Sequence, residues 1–380
     1  MLRIGIVCYP TFGGSGVVAT ELGMALADKG HQVHFISYSQ PFRLDFFSGN
    51  VFYHEVPVAN YPLFEFLPYE ISLTSKLVDV ALHQNLDLLH VHYAIPHASA
   101  AYLAKQILKS RGKDIPIITT LHGTDITLIG RDPSYKPVIT FAINESDAVT
   151  AVSNNLKEQT YAYFDVKRDI QVIYNFIDLK NYENANQPCM KSIYAPNGEF
   201  LLTHISNFRP VKRIEDVVKV FEKVRREIPV RLLLGGDGPE RTNVENLARK
   251  LRVIDDVVFL GKTRAIERIL CLSDIFLLTS ESESFGLTAL EALASGVPVI
   301  SSNTGGIPEV NKHGYSGFLS QVGDVEAMAM NTIKLLKDRE LYSQFSRQAK
   351  KQAAQFDIHY VLPQYEQLYE QVLGKIKLEA

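Results

Sequence analysis

Four stretches of the chain combine residue types that can do chemistry. The first, Gly13-Gly14-Ser15-Gly16, lies where an apolar run ends and an amphipathic one begins. Glycines at such a turn let main-chain N–H groups approach a ligand, and the helix that follows presents its positive end. The same glycines also suit a bare tight turn. The second, Gly235-Gly236-Asp237-Gly238-Pro239, repeats the arrangement after a later apolar run and either admits a ligand or allows close packing. In the third, Arg209-Pro210-Val211-Lys212-Arg213, cations gather at a predicted strand exit, where open α/β sheets bind ligands. The formal charge of the whole chain is −3, so such a local cluster suits a polyanion such as a diphosphate. The fourth runs from Glu281 through Glu283, Phe285 and Gly286 to Glu291. A helix beginning at Gly286 leaves the N–H groups of Gly286, Leu287 and Thr288 without intrahelical acceptors, which favours an anion by about 0.3–2 kcal/mol.

Glu283 precedes that helix and Glu291 stands on its second turn among Ala289, Leu290, Ala292 and Leu293. Carboxylates on both sides of a phosphate-binding turn can grip hydroxyls at the two ends of a sugar nucleotide. The histidines gather earlier, as His90, His92, His97 and His122. A His-x-His pair can ligate a metal, but no Asp, Glu or Cys set at supporting spacing accompanies it, so no metal is expected. The alternative reading puts His122 and Tyr93 on a ligand cleft and His90 in the core. Nicotinamide chemistry is disfavoured because the glycine spacing departs from GxGxxG and the second strand ends in Ile36-Ser37-Tyr38-Ser39 without an acid. GxSxG and GxxxxGK[ST] are both absent, which removes an α/β-hydrolase and a P-loop enzyme.

These residues need elements to hold them. A chain of 380 residues, 46% hydrophobic and 21% charged, is large enough for two globular domains and too apolar to be disordered. Apolar runs of strand length at 3–8, 31–37, 86–92, 115–121, 148–152 and 171–173 alternate with helical segments. After a stretch rich in Asn, Pro and Gly (175–199) the rhythm resumes at 200–206, 231–235, 257–260, 275–279 and 298–301. The pattern predicts an α/β protein with two Rossmann-like domains and parallel sheets, facing each other across a cleft. The domains are 1–174 and 175–356, with a terminal helix of about 357–380 folding back on the first. Lys and Arg total 39 against 42 Asp and Glu, so nothing suggests a nucleic acid partner. No apolar run is long enough for a membrane helix or a secretion signal. Three cysteines (Cys8, Cys189, Cys271), none in a CxxC, point away from a disulfide framework and toward a cytoplasmic setting.

Taken together, the glycine turn, Gly-Asp-Gly-Pro, Arg209 with Lys212, and Glu283-x7-Glu291 resemble the retaining GT-B glycosyltransferases of family 4. The resemblance covers nearly the whole chain and includes Gly296-Val297-Pro298 and Gly305-Gly306-Ile307-Pro308-Glu309. Further stretches, among them Cys8-Tyr9-Pro10, His90-Val91-His92-Tyr93 and Leu121-His122-Gly123-Thr124-Asp125, resemble the branch that glycosylates L-malate at the start of bacillithiol synthesis. The resemblance implies transfer of N-acetylglucosamine from UDP-N-acetylglucosamine to the malate hydroxyl, with retention, without a cofactor or metal. It implies His122 and Glu283 as catalytic residues. For the donor it implies Gly14, Gly16, Arg209, Lys212, Gly238, Gly286, Leu287, Thr288 and Glu291. Candidate acceptor contacts, chosen by location and chemistry, are Ser15, Tyr93, Asn154 and Arg43. Alternatives are another small or lipid acceptor, or 2-epimerisation of the same nucleotide sugar; homo-oligomerisation is left open.

Overall fold

The computed structural model describes every residue except 12, 45–48, 59–67, 184–189, 264 and 380, with the backbone alone at 183 and 375–379. The chain divides into two compact units, Met1–Asn175 with His359–Ala380, and Phe176–Ile358. Each is built on a wholly parallel sheet, the α/β architecture that the alternating pattern predicts.

In the first unit the strands are β1 (Arg3–Val7), β2 (Gln32–Ser37), β3 (Val51–Glu55), β4 (Leu88–His92), β5 (Ile117–Leu121), β6 (Ala148–Ala151) and β7 (Ile170–Val172). They lie in the order β3-β2-β1-β4-β5-β6-β7. Strands β4 and β5 are buried at every position, as near-continuous apolar runs must be when helices cover both faces of a sheet. The first turn of the helix Gly14–Asp28 lies so close to the loop after β1 that a Cβ on Gly16 would lie 2.6 Å from the Thr11 carbonyl oxygen and 2.7 Å from that of Tyr9. Only glycine fits there. The terminal helix Ile358–Glu379 brings Tyr365 and Tyr369 into this unit's core, where the Tyr369 hydroxyl meets His90 Nδ1 at 2.7 Å.

The second unit holds β8 (Phe200–Ile205), β9 (Val230–Gly235), β10 (Val257–Gly261), β11 (Ile275–Leu278), β12 (Val299–Ser302) and β13 (Gly317–Ser320), in the order β10-β9-β8-β11-β12-β13. Its core joins Leu202, Leu232 and Leu234 of the sheet to Val217, Val220, Phe221 and Val224 of the helix Ile214–Arg225. In both sheets the strand order reverses once, between β1 and β4 and between β8 and β11. Ligands of open α/β sheets bind beyond the strand ends at such a reversal.

Two strands, β3 and β13, were not expected from the apolar pattern. Both are edge strands, and β3 is buried only at Val51. Within the expected irregular stretch 175–199, Asn184, Asn186, Pro188 and Cys189 lie outside the described residues. Cys8 is a buried free thiol.

Candidate active site

In the second unit the reversal point collects most of the residues expected to hold a donor. The loop after β8 carries Arg209, which is exposed and makes no ion pair among the described residues. The 3₁₀ turn Pro210–Lys212 follows and places Lys212 Nζ 2.5 Å from Glu283 Oε1, which comes from the loop after β11. The Ser280 hydroxyl donates to the same carboxylate oxygen at 2.8 Å. Arg213, the third cation of the cluster, is turned away and paired with Asp216 at 2.7 Å. Of the cluster, Arg209 and Lys212 are therefore left for this site, and Arg213 is committed elsewhere.

The helix Leu287–Ala294 begins at Gly286, whose φ of +94° only glycine adopts readily. The N–H groups of Leu287 and Thr288 lie in its first turn, beyond the reach of any intrahelical acceptor. Glu291 is buried, and its Oε1 accepts from the Tyr182 hydroxyl at 3.3 Å, so its carboxylate faces a polar partner rather than solvent. The Glu283 loop rests on Gly305 and Gly306: a Cβ on Gly305 would fall 1.9 Å from the Glu283 carbonyl oxygen, and the Gly306 N–H donates to that oxygen at 2.9 Å. Gly238 has a packing reason for its identity, since a Cβ there would lie 2.7 Å from the Phe208 carbonyl oxygen. Beneath the cations, His204 bonds the Leu277 carbonyl through Nδ1 and the Ser206 hydroxyl through Nε2, and burial pushes its pKa down to about 4.

In the first unit the expected residues Ser15, Tyr93 and His122 come together. The Tyr93 hydroxyl donates to Ser15 Oγ at 2.6 Å, and its ring lies 5.2 Å from the His122 ring. Tyr93 has a φ of +90°, an outlier for a bulky side chain and a strain of about 1–3 kcal/mol that the surrounding bonds must hold. Burial pushes the Tyr93 phenol up to about 12 and the His122 imidazole down to about 3, so both are neutral near pH 7. Gly14 is exposed at the start of its helix. Arg43 is paired with Glu21, and the Asn154 amide donates to the Tyr174 hydroxyl at 2.7 Å.

Asp125 received no role from the sequence. It is buried, and its carboxylate accepts from the Ala94 N–H at 2.8 Å and the Gly123 N–H at 3.0 Å, tying the turns after β4 and β5 together. Burial raises its pKa to about 6, against the opposing pull of those N–H groups. Its place in His-Gly-Thr-Asp was visible, but its partner at Ala94 is set by long-range packing. Among the described residues no group of three or more His, Cys, Asp or Glu is placed to hold a metal ion, and no helix is long and apolar enough to cross a membrane.

The family described as Glycosyltransferase Family 4 matches residues 12–181, and that described as Glycosyl transferases group 1 matches residues 189–352. The chain is 49% identical, over 98% of its length and 97% of the relative's, to the N-acetyl-alpha-D-glucosaminyl L-malate synthase of Bacillus anthracis. Among solved structures, the Anabaena protein HepE in complex with UDP and glucose superposes with a TM-score of 0.82 at 20% identity, covering 97% of this chain and 99% of that one. The sucrose-phosphate synthase of Thermosynechococcus elongatus superposes with a TM-score of 0.80 at 20% identity, covering 99% and 100%. At such identity these likenesses establish the fold. The two family matches and the relative at 49% identity establish more: the chain belongs to the family 4 glycosyltransferases.

Proposed function

We propose that this glycosyltransferase moves N-acetylglucosamine from UDP-N-acetylglucosamine to the hydroxyl of L-malate, with retention at the anomeric carbon, as the first step of bacillithiol synthesis. The observation that carries the donor half is the grouping of Arg209, the Lys212–Glu283 pair and the helix end at Gly286 around one strand reversal. The acceptor half rests on the B. anthracis relative.

In this reading Arg209 and Lys212 neutralise the diphosphate as charge builds on departing UDP, with the Leu287 and Thr288 N–H groups adding fixed dipoles. Two cations and a helix end do the work that a divalent ion does elsewhere, so EDTA leaves the rate unchanged. Glu283 holds hydroxyls of the glucosamine ring, and Glu291 those of the ribose. Gly14, Gly16 and Gly238 line the donor with main chain. The bond from the anomeric carbon to the phosphate oxygen breaks, and the malate oxygen bonds to the same face. The malate proton passes to the departing phosphate oxygen, so no carboxylate nucleophile of the double-displacement kind is required. His122 contacts the transferred sugar. Ser15 and Tyr93 supply donors to the malate carboxylates, with Asn154 and Arg43 as further candidates. Holding the two substrates together on one face of the sugar accounts for up to about 7 kcal/mol of the barrier.

The test is purified protein with UDP-N-acetylglucosamine, with and without L-malate, followed by mass spectrometry. N-acetylglucosaminyl malate and UDP should appear together, only when malate is present. UDP release indifferent to malate would replace this reading with epimerisation or hydrolysis.

A further inference from the structure

We infer that His92 sets the tautomer of His122, so that His122 presents a ring N–H, not a bare nitrogen, at the exit of β5. The inference deepens the reading of His122 as a contact of the transferred sugar, and its functional consequence rests on that reading.

His92 closes β4, in register with Thr120 of β5, and His122 follows β5. The two rings stack at 5.0 Å and 24°, and His92 Nδ1 lies 2.7 Å from His122 Nε2. One hydrogen must lie between these nitrogens, because two lone pairs or two N–H groups at that distance repel. Burial keeps both rings neutral, so each carries a single hydrogen. Two arrangements satisfy this. Either His92 donates from Nδ1 and leaves its Nε2 bare, or His122 donates from Nε2 and the His92 hydrogen sits on its own Nε2.

The other side of His92 decides between them. Its Nε2 is buried and has no hydrogen-bond partner. A buried N–H without an acceptor is rarer and costlier than an acceptor left unsatisfied. The bare nitrogen therefore belongs at His92 Nε2, the hydrogen at His92 Nδ1, and His122 Nε2 is the acceptor. His122 must then carry its own hydrogen on Nδ1, which has no partner among the described residues; the residue is 8% exposed. The face left to a ligand is a donor. It can hold a hydroxyl or ring oxygen of a sugar, and it cannot take a proton as a base.

His92 is itself tightly held. It stacks on His90 at 4.6 Å, and His90 is fixed by the Tyr369 and Thr120 hydroxyls at 2.7 Å each. His97 Nδ1 bonds the His92 carbonyl oxygen. His92 is thus a positioning residue: it acts on the ligand only through His122.

The experiment is long-range 1H–15N correlation on the whole chain with 15N-labelled histidine, near pH 7.5 and without substrate. His122 should show a protonated Nδ1 and an unprotonated Nε2; the reverse pattern would overturn the inference. Because no substrate is present, a missing malate product would refute the proposed reaction and leave this result standing. His92→Asn, which keeps an amide donor near the Nδ1 position, should retain the His122 tautomer and a kcat within about threefold of wild type. His92→Leu should lower kcat roughly ten- to a hundredfold, with KM for the nucleotide sugar little changed. A His92→Leu enzyme with wild-type kcat would also overturn it. Should that variant not fold, the wild-type spectrum decides alone.

Discussion

Lys212 and Glu283 form a pair that a substrate has to divide. In the free protein the ammonium is neutralised at 2.5 Å by the carboxylate, which also accepts from Ser280. In the proposed reaction the ammonium turns to the diphosphate and the carboxylate to the sugar. The two halves of the pair should therefore separate on mutation. Glu283→Ala removes the competitor for Lys212, so calorimetry should find UDP affinity unchanged or higher, while transfer falls below detection. Wild-type turnover in that variant would remove Glu283 from the mechanism. Arg209→Ala removes an exposed cation that has no other ion pair among the described residues, at a cost of about 1.5–3 kcal/mol for lost charged hydrogen bonds. UDP affinity should drop roughly ten- to a hundredfold, and an unchanged value would place the diphosphate elsewhere.

The elements convert these residues into a site through backbone contacts that tolerate no Cβ. Gly305 is the clearest case, with φ at +56° and the Glu283 carbonyl oxygen 1.9 Å from where its Cβ would lie. Gly305→Ala must push the Glu283 loop aside. We expect a loss of about 1–3 kcal/mol in stability together with a fall in kcat, read by denaturant titration and by the malate assay. A variant as active and stable as wild type would show that the loop is not held there. Such contacts explain what was legible beforehand. Strands β4, β5, β8 and β11 were plain because both their faces are buried, and the loops after them were marked by Gly, Arg and Glu. Edge strand β3 was not, since a half-exposed strand carries no continuous apolar run, and edge strand β13, Gly317–Ser320, has only Phe318 and Leu319 as apolar side chains. His90 and His92 suggested a weak metal motif, whereas the structure gives both His90 nitrogens and His92 Nδ1 to Tyr369, Thr120 and His122. The terminal helix was expected to fold back on the first unit and does so, but neither the contact of Tyr369 with His90 nor the reach from Asp125 to Ala94 is visible in local spacing. Arg43 and Asn154 were chosen for chemistry at a plausible place, and packing has given both other partners.

At the scale of the molecule, the buried imidazoles make the two units unequal in acid. The first unit encloses His90, His92, His97 and His122, and the second His204. Burial pushes His90 and His122 to about 3, His97 and His204 to about 4, and His92 well below the ordinary value. In the unfolded chain each returns to about 6.5. The unfolded state therefore binds more protons, and stability present above pH 6.5 is lost as pH falls toward the folded values. By pH 5 each imidazole removes about 2 kcal/mol, hence about 8 kcal/mol from the first unit and about 2 from the second. Asp125 works in the opposite direction, because its raised pKa of about 6 favours the folded state in acid, but it offsets only about 1 kcal/mol at pH 5. His34, buried beside His54 and lowered to about 4, adds to the loss in the first unit. Against the 5–15 kcal/mol typical of a folded domain, about 8 is decisive and about 2 is not. Acid should therefore unfold the first unit while the second remains intact. Hydrogen exchange at pH 5 should show lost protection across β4 and β5 and retained protection across β8 and β9. A single concerted transition with both sheets opening together would mean that the histidine cluster does not set the acid limit.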